Sequence, residues 1–282
     1  MAGCLYIVPT PIGNLGDITA RAVEVLTTVD LIAAEDTRHS KKLMTHLDIS
    51  TPMVAYHEHV DDSATQALVD RLLAGQSVAL ISDAGTPLVS DPGYRLVRAS
   101  QVAHCQVIPL PGACAAIAAL SASGLPTDRF TFEGFLPAKA AARLQRLKAL
   151  AARSETLVFY EAPHRIADCL QAMVEAMGAE REAVLAREIS KSYETIRRAS
   201  LGELLSWVMS DTNQQRGEQV LMVAPAPVDK GASTDALSAT AETLLTRLAE
   251  VLPPRKAAAI VAETYGLKAR DLYARLLDLR GD

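Results

Sequence analysis

VALISDAGTPLVSDPG, residues 78–93, is the stretch that decides the fold. Val78 to Ile81 is an apolar run with the length of a buried strand. It ends at Ser82-Asp83, and two glycines, two prolines and a second aspartate follow before a helix is predicted to begin at Tyr94. A strand that ends in such a loop and continues as a helix is how α/β sheets form a ligand crevice. Proline stiffens the loop, and glycine lets a ligand approach the main chain. An ordinary strand-to-helix loop is the alternative.

Short apolar runs alternate with helical patterns through the first half of the chain. Strands are predicted at Leu5–Val8, Leu31–Ala34, Met53–Tyr56, Val78–Ile81 and Gln106–Pro109. Helices are predicted at Ile18–Thr28 with Asp17 as N-cap, at Thr37–Leu47, Ser63–Ala74 and Tyr94–Ala103, and from Pro111-Gly112-Ala113-Cys114 to Ser123. This alternation favours a parallel sheet with helices on both faces.

The second half begins after a predicted boundary at Leu125-Pro126-Thr127-Asp128. Strands are predicted at Arg129–Phe135, Thr156–Tyr160, Ala183–Arg187 and Gln219–Ala224, and helices around a basic segment, at Ile166–Met177 and at Leu201–Met209. Pro225 to Ser233 has the composition of a linker. The helical tail beyond it is compatible with a helix-turn-helix or with any small helical hairpin. The predicted organisation is an N-terminal α/β domain (1–125), a second α/β domain (126–227), and a linker with a helical region (228–282).

Composition and charge narrow the class of protein. The 282 residues are 49% hydrophobic with a net charge of -5, so no global field attracts nucleic acid. No apolar run reaches the roughly 18 residues of a membrane span, and the first residues do not resemble a signal peptide, so a cytoplasmic protein without membrane contact is expected. The four scattered cysteines are interpreted as small buried residues in a reducing compartment.

Basic residues are instead concentrated locally. Lys139, Arg143, Arg146 and Arg153 are predicted on one side of a helix, and Arg187, Lys191, Arg197 and Arg198 form a second group. A solvated helix face is the default interpretation of each group. RNA contact would have to come from such patches.

The loops at the predicted strand ends share a composition rich in proline, glycine and small polar residues. They are Pro9–Gly16, Ser82–Gly93, Pro111–Cys114 and Tyr160–Arg165. No GxGxxG follows the first strand and there is no GxxxxGK[ST], so neither a Rossmann dinucleotide site nor a P-loop is supported. His57-Glu58-His59 places two histidines on one face of a strand, but without a third ligand or an HExxH motif no metal is expected.

Several motifs together resemble one family. They are Thr10–Asp17 (TPIGNLGD), Ala34–Arg38 (AEDTR), Ser82–Pro87 (SDAGTP), Pro111-Gly112, Tyr160–Arg165 (YEAPHR) and Arg187–Lys191 (REISK). Linked in this order, they resemble the tetrapyrrole methylase superfamily, and the AEDTR and YEAPHR runs resemble its ribosomal RNA branch. The resemblance implies two α/β domains with a cofactor cleft between them. It also implies methyl transfer from S-adenosyl-L-methionine to a ribose 2′-hydroxyl of a cytidine in 16S rRNA of the small ribosomal subunit, and a possible homodimer.

The resemblance also assigns cofactor-binding residues. Pro11, Ile12 and Gly13 would border the cofactor, and Asp83, Gly85, Thr86 and Pro87 would hold its methionine end or methyl region. Ala113 and Cys114 stand where the superfamily often has Val-Ser. Tyr160, Glu161 and Met222 would approach the adenosine from the second domain.

The implied reaction needs alignment of the acceptor oxygen, and a base or cation beside it would help. The candidates are Glu35, Asp36, Arg38, Arg187, Glu188 and Lys191, and the hypothesis is that Lys191, or Glu35 with Arg38, takes this role. Salt-bridged residues that only shape the loops are the alternative. With RNA as substrate, Lys139, Arg143, Arg146 and Arg187 would contact phosphates. A corrin or other small-molecule methyltransferase and a non-catalytic nucleic-acid-binding protein stay open as alternatives.

Overall fold

The computed structural model describes residues 3–58, 60–227 and 239–280. The chain divides into two compact units, Met1–Ala226 and Pro227–Asp282. His59 of the weighed metal motif, and residues 228–233 of the predicted linker, lie outside the described ranges. Within those ranges, no helix combines the length and apolarity needed to cross a membrane.

The first sheet contains five parallel strands. They are β1 (Cys4–Ile7), β2 (Leu31–Ala34), β3 (Met53–Ala55), β4 (Val78–Ile81) and β5 (Gln106–Pro109), arranged in the order β3-β2-β4-β1-β5. Every neighbouring pair is parallel. All residues of β2 and β4 are buried, as expected for strands covered on both faces. The predicted parallel sheet is therefore confirmed.

Helices cover both faces of this sheet. They are α1 (Ala20–Thr28), α2 (Thr37–His46), α3 (Asp62–Leu73) and α4 (Tyr94–Val102). Side chains of α1 and α2 share a core with one face, and side chains of α3 and α4 share a core with the other. One prediction is wrong here: α1 is capped by Thr19, whose hydroxyl accepts from Ala22 N at 3.1 Å, because Asp17 ends a separate 3₁₀ turn.

The second sheet is mixed. It contains β6 (Phe130–Phe135), β7 (Thr156–Glu161), β8 (Glu182–Arg187), β9 (Thr195–Ser200) and β10 (Gln219–Val223), in the order β6-β7-β10-β8-β9. Only β6 and β7 run parallel, while β10 is antiparallel to both β7 and β8. The sequence did not predict β9, an edge strand with an exposed centre that includes Arg197 and Arg198.

Alternate residues of β10 face two different cores. Leu221 and Val223 pack with α6 (Ala140–Leu150), α7 (Ile166–Met177) and α8 (Leu201–Ser210). Val220 and Met222 pack with α5 (Ala115–Ser123), which follows the first sheet in the chain but covers the second sheet. The two α/β sheets, joined through α5, match the predicted fold class.

The C-terminal unit is a cluster of three helices in residues 239–280. They are α9 (Ala239–Val251), α10 (Pro254–Tyr265) and α11 (Ala269–Arg280). Alanine and leucine side chains from all three helices form its core. Gly266 adopts φ +68° and ends α10, a backbone conformation that suits glycine.

Candidate functional site

A cavity of about 370 Å³, the main cavity, lies between the two lobes of the first unit. The loop after β4, the end of β7 and the start of β10 all contribute to its wall. Its lining is Ile12, Glu35, Asp83, Ala84, Gly85, Thr86, Val89, Ser90, Asp91, Cys114, Ala115, Phe135, Tyr160, Glu161, Ala162, Pro163, Ile189, Glu218, Gln219 and Val220. The volume is within the range of about 300–1,000 Å³ typical of small-molecule sites.

The Ser82–Gly93 loop is fixed to its neighbours by hydrogen bonds. Thr10 and Gly85 exchange backbone hydrogen bonds of 2.9 and 3.0 Å. The Thr86 hydroxyl donates to Ala113 O at 2.8 Å. Leu88 and Ser90 both adopt positive φ, at 73° and 68°, a strained conformation for residues other than glycine. The loop is therefore preorganised, and strain of this kind is common at functional sites.

Three carboxylates line one side of the main cavity. Glu35 Oε2 accepts from Asp83 N at 3.2 Å, and Asp83 Oδ1 accepts from Asp36 N at 3.1 Å, so these two carboxylates fasten the β2 and β4 loops together. Burial raises the pKa of Asp91 to about 6; the charges of Glu35 and Asp83 also raise it, against a hydrogen bond with Ser82. Such a wall suits a cationic ligand and includes one carboxylate with unusual proton affinity.

Aromatic rings form another part of the wall. Tyr160 makes edge-to-face contacts with Phe132 and Phe135 at centroid distances of 4.9 and 5.7 Å. Burial, together with the neighbouring Cys114, raises the pKa of the Tyr160 hydroxyl, which stays protonated. This surface suits a flat heterocycle.

The Tyr160 hydroxyl also completes the start of α5. It accepts from Ala116 N at 3.1 Å, whereas the N-cap residue Cys114 makes no capping hydrogen bond with its side chain. An N-cap serine or threonine normally accepts such a hydrogen bond. Tyr160 thus provides from β7 the acceptor that Cys114 does not.

A second cavity of about 320 Å³, the Lys191 cavity, adjoins the main cavity and shares Ile12, Asp83, Ala84 and Glu218 with it. Lys191 Nζ lies 2.8 Å from Glu188 Oε1 and 3.0 Å from Glu218 Oε2. Burial alone would lower the pKa of Lys191, but these hydrogen bonds outweigh it and raise that pKa above its ordinary value. Lys191 is therefore a fixed cation and a poor general base.

The structure separates the predicted cofactor and catalytic residues into groups. Ile12, Glu35, Asp83, Gly85, Thr86, Cys114, Tyr160 and Glu161 line the main cavity, and Pro11, Gly13 and Lys191 line the Lys191 cavity. Ala113 anchors the loop through its carbonyl, and Pro87 is buried in it. Two residues are elsewhere: Met222 is fully buried beneath α5, and the Arg38 side chain is 90% exposed, paired with Asp36.

The predicted RNA contacts need two corrections. Arg143 and Arg187 are only 5% and 9% exposed. Arg143 faces inward from α6 because its neighbours in the turn pack on the core, and Arg187 Nη2 donates to Tyr193 O at 3.1 Å. Neither guanidinium is presented on the surface, whereas Lys139 is exposed and Arg146 is half-exposed, paired with Glu133 at 2.6 Å.

Several lining residues were not predicted. Ser90 and Asp91 lie in the quoted loop, and the Asp91-Pro92-Gly93 run of that loop was an available signal. Glu218 and Gln219 gave no such signal. The cavity wall was expected to be formed by the carboxyl ends of the strands, whereas these two residues lie where β10 begins. Since β10 is antiparallel, its first residue, Gln219, pairs with the last residues of β7 and β8.

The cysteines form no metal site in the parts of the chain that the structure describes, which exclude His59 of the histidine motif. No group of three or more His, Cys, Asp or Glu residues there could hold a metal ion. All four cysteines are free thiols; Cys105 and Cys169 are buried as predicted, but Cys4 and Cys114 are only half-buried.

Two family models together match most of the chain. Tetrapyrrole (corrin/porphyrin) methylases match residues 4–205, and the RsmI C-terminal HTH domain matches residues 235–280. Among solved structures, uroporphyrin-III-C-methyltransferase from Thermus thermophilus superimposes with a TM-score of 0.56 at 22% identity, covering 79% of this chain and 94% of that one. The methyltransferase CobJ gives 0.59 at 18% identity, covering 80% and 95%. These two likenesses show the fold.

Curated relatives are much closer in sequence. Ribosomal RNA small subunit methyltransferase I of Vibrio cholerae is 53% identical over 281 residues, which are 100% of this chain and 96% of that protein. The protein of the same name from Pseudomonas aeruginosa is 53% identical over 280 residues, 99% of each chain. The chain therefore belongs to the tetrapyrrole methylase family and, within it, to the ribosomal RNA small subunit methyltransferase I proteins.

Proposed function

We propose that this protein transfers a methyl group from S-adenosyl-L-methionine to a ribose 2′-hydroxyl of a cytidine in 16S rRNA of the small ribosomal subunit. One observation carries the proposal: 53% identity over almost the whole length to relatives named ribosomal RNA small subunit methyltransferase I. The main cavity supports it with the size and wall chemistry that such a donor requires.

The residues of the main cavity fit the adenine and the positively charged groups of the donor. Tyr160, Phe135 and Val220 offer an apolar and aromatic surface for adenine. Asp83 and Glu35 place negative charge where a sulfonium or ammonium group would be stabilised. When bound, S-adenosylmethionine supplies a methyl group that its positive sulfur has already activated for transfer.

The chain itself then has two tasks: to hold and orient the donor and the acceptor, and to exclude water from them. The strained, hydrogen-bonded Ser82–Gly93 loop fixes one wall of the cavity without needing to reorganise. Lys191, held as a cation by two glutamates, would contact RNA phosphate at the adjoining cavity. Glu35 with Arg38 remains a proposed pair near the acceptor; Glu35 lies at the wall, while Arg38 points to solvent.

RNA recognition must come from local features, since the net charge of -5 does not favour polyanion binding. Lys139 and Arg146 on the second lobe are proposed as phosphate contacts. The match of residues 235–280 to a helix-turn-helix model supports a nucleic-acid role for the C-terminal unit. If the substrate is the RNA of an assembled small subunit, a protein of net negative charge can bind it through a few local contacts. Such a substrate would also place the enzyme in the cytoplasm. Pairing of two chains is proposed as well, to be measured by light scattering.

The decisive test compares 16S rRNA from cells with and without the gene for this protein. Mass spectrometry of nuclease fragments should show one cytidine losing 14 mass units, with the methyl on the ribose after nucleoside digestion. Purified protein should restore the mark on small subunits, whereas uroporphyrinogen III, offered as a control acceptor, should stay unmodified. Methylation of the tetrapyrrole alone, or absence of S-adenosylmethionine binding by calorimetry, would contradict the proposal.

A further inference from the structure

Asp91 lies in a wall that two cavities share. On one side is the main cavity; on the other is a cavity of about 470 Å³, the Tyr94 cavity, lined by Glu35, Tyr56, His57, Glu58, Val60, Ser90, Asp91, Pro92, Gly93, Tyr94 and Arg95. Glu35, Ser90 and Asp91 are common to both linings. A group at this wall can contact a donor in the main cavity and an acceptor that enters from the Tyr94 cavity.

We propose that Asp91 is the general base of the methyl transfer and takes the proton of the acceptor hydroxyl at the junction of these two cavities. This inference rests on the function proposed above. It assigns to Asp91 a role that the sequence had suggested for Lys191, or for Glu35 with Arg38.

The position of Asp91 is fixed by the strained part of its loop. Ser90 precedes it with φ 68°, and the Ser82 hydroxyl, which donates to Ala84 O at 3.3 Å, is near enough to act on the pKa of its carboxylate. Gly93 adopts φ +132°, and a Cβ there would lie 2.6 Å from Leu80 Cδ2, so the loop is pressed against β4. A carboxylate held in this way keeps one orientation toward the shared wall.

The other candidates are already committed to different tasks. The Glu35 carboxylate accepts from Asp83 N, and the Asp83 carboxylate accepts from Asp36 N. Lys191 keeps its proton between two glutamates. Among the described residues, no backbone N–H donates to Asp91, so its carboxylate is available to an incoming hydroxyl.

The charges around Asp91 favour proton uptake. The titratable groups that face it from the surrounding elements are Glu35, Asp83, His57, Glu58, Tyr94, Arg95 and Tyr160. Burial raises the pKa of Asp91 to about 6, and Glu35 and Asp83 act in the same direction. A general base is most effective when its pKa lies near the working pH, and Asp91 would still be mainly ionised at pH 7.5.

The proposed step balances in atoms and charge. The hydroxyl oxygen forms a bond to the methyl carbon while its proton passes to an Asp91 carboxylate oxygen. The carbon–sulfur bond breaks, its electron pair stays on sulfur, and a neutral thioether leaves. The proton on Asp91 then returns to water.

The test uses the full-length protein with Asp91→Asn, Asp91→Glu and the surface control Asp128→Asn. Binding of S-adenosylhomocysteine, which lacks the positive charge on sulfur, is measured by calorimetry and should stay within about threefold in every variant. Single-turnover methyl transfer to small subunits should fall about 100- to 10,000-fold in Asp91→Asn, the usual range for losing a general base. Asp91→Glu should recover part of the rate, and Asp128→Asn should match the wild type.

The pH profile separates a base from a structural residue. The wild-type single-turnover rate should rise with pH and level off above about 6, and this inflection should be absent in Asp91→Asn. A variant within threefold of the wild-type rate, or one that keeps the inflection, overturns the inference while leaving the proposed function intact. Loss of S-adenosylhomocysteine binding in Asp91→Asn also overturns it, because Asp91 would then be a cofactor ligand. A wild-type protein inactive on small-subunit RNA overturns both proposals.

Discussion

Replacing Gly13 with alanine tests how the two lobes meet beside the Lys191 cavity. Gly13 adopts φ +144°, and a Cβ at this position would lie 2.4 Å from both Cε and Cγ of Lys191. The Lys191 side chain therefore passes directly over Gly13, while its ammonium group is held by Glu188 and Glu218. An alanine at this position would have to adopt a φ that residues with a side chain rarely adopt. Its methyl group would also overlap the Lys191 side chain.

The two costs have different origins and can be separated. Backbone strain at a conformation reserved for glycine costs about 1–3 kcal/mol. Forcing a methyl group into filled space adds about 1–3 kcal/mol, in part because the half-buried Lys191 must leave its ion pairs. Gly13→Ala should thus lower the free energy of unfolding by about 2–6 kcal/mol. Gly178→Ala is the matched control, because Gly178 adopts φ +90° and no described atom lies within 4 Å of its Cβ position.

Urea unfolding followed by fluorescence of the single tryptophan, Trp207, reports on the unit that contains both glycines. Gly178→Ala should cost about 1–3 kcal/mol from strain alone. In a Lys191→Ala background the clash is absent, so the cost of Gly13→Ala should fall by about 1–3 kcal/mol. An equal cost of Gly13→Ala in both backgrounds would refute the placement of Lys191 over Gly13.

Three further changes probe the second lobe and the main cavity. Tyr160→Phe leaves Ala116 N without its acceptor and should cost about 1–3 kcal/mol in urea unfolding, and Cys114→Ser, which supplies a capping hydroxyl, should recover part of that loss. Leu147→Ala in the core of the second lobe should cost about 2–5 kcal/mol in the same assay, with Lys148→Ala on the surface as its control. The pKa of Asp91 is higher in the folded than in the unfolded protein. Its contribution to stability is therefore complete below pH 4 and is lost as the pH rises through about 6. Asp91→Asn should raise the free energy of unfolding by about 1–3 kcal/mol at pH 7.5 and leave it unchanged at pH 4; equal effects at both pH values would contradict the raised pKa.

The first sheet could be predicted from the sequence because its strands are buried on both faces. Four consecutive apolar residues in β2 and in β4 leave no other arrangement that covers them. A polar residue follows each apolar run directly, Glu35 after β2 and Ser82 after β4, and this change gave the strand ends to within a residue. The exception is the start of α1, where two residues could act as N-cap: Asp17 instead ends a 3₁₀ turn and accepts from the Ser190 hydroxyl of the opposite lobe, and Thr19 caps the helix.

The basic helix of the second lobe, α6, shows where a prediction from the spacing of charged residues fails. A guanidinium is expected in water, so Arg143 was predicted to face outward with Arg146. In the structure Arg143 shares the inward face of α6 with Leu147 and Leu150 and lies near Cys169. The buried Glu161 is paired with Arg165, and Arg143 Nε has no hydrogen-bond partner among the described residues. The inward position of Arg143 therefore depends on the packing of α6 against the rest of the lobe, which has no local sequence signal.

The direction of β10 decides which residues reach the main cavity. Had β10 run parallel to β7, its last residues would have met the cavity, and Met222 would have been close to the adenosine as predicted. Because it runs antiparallel, its first residues, Gln219 and Val220, meet the cavity, and Met222 is carried beneath α5. Strand direction depends on how the chain crosses from β9 through α8, which a single strand's composition does not encode. The same reversal brings Glu218 beside Lys191, so it also sets the charge state of the one lysine that the sequence had suggested as a base.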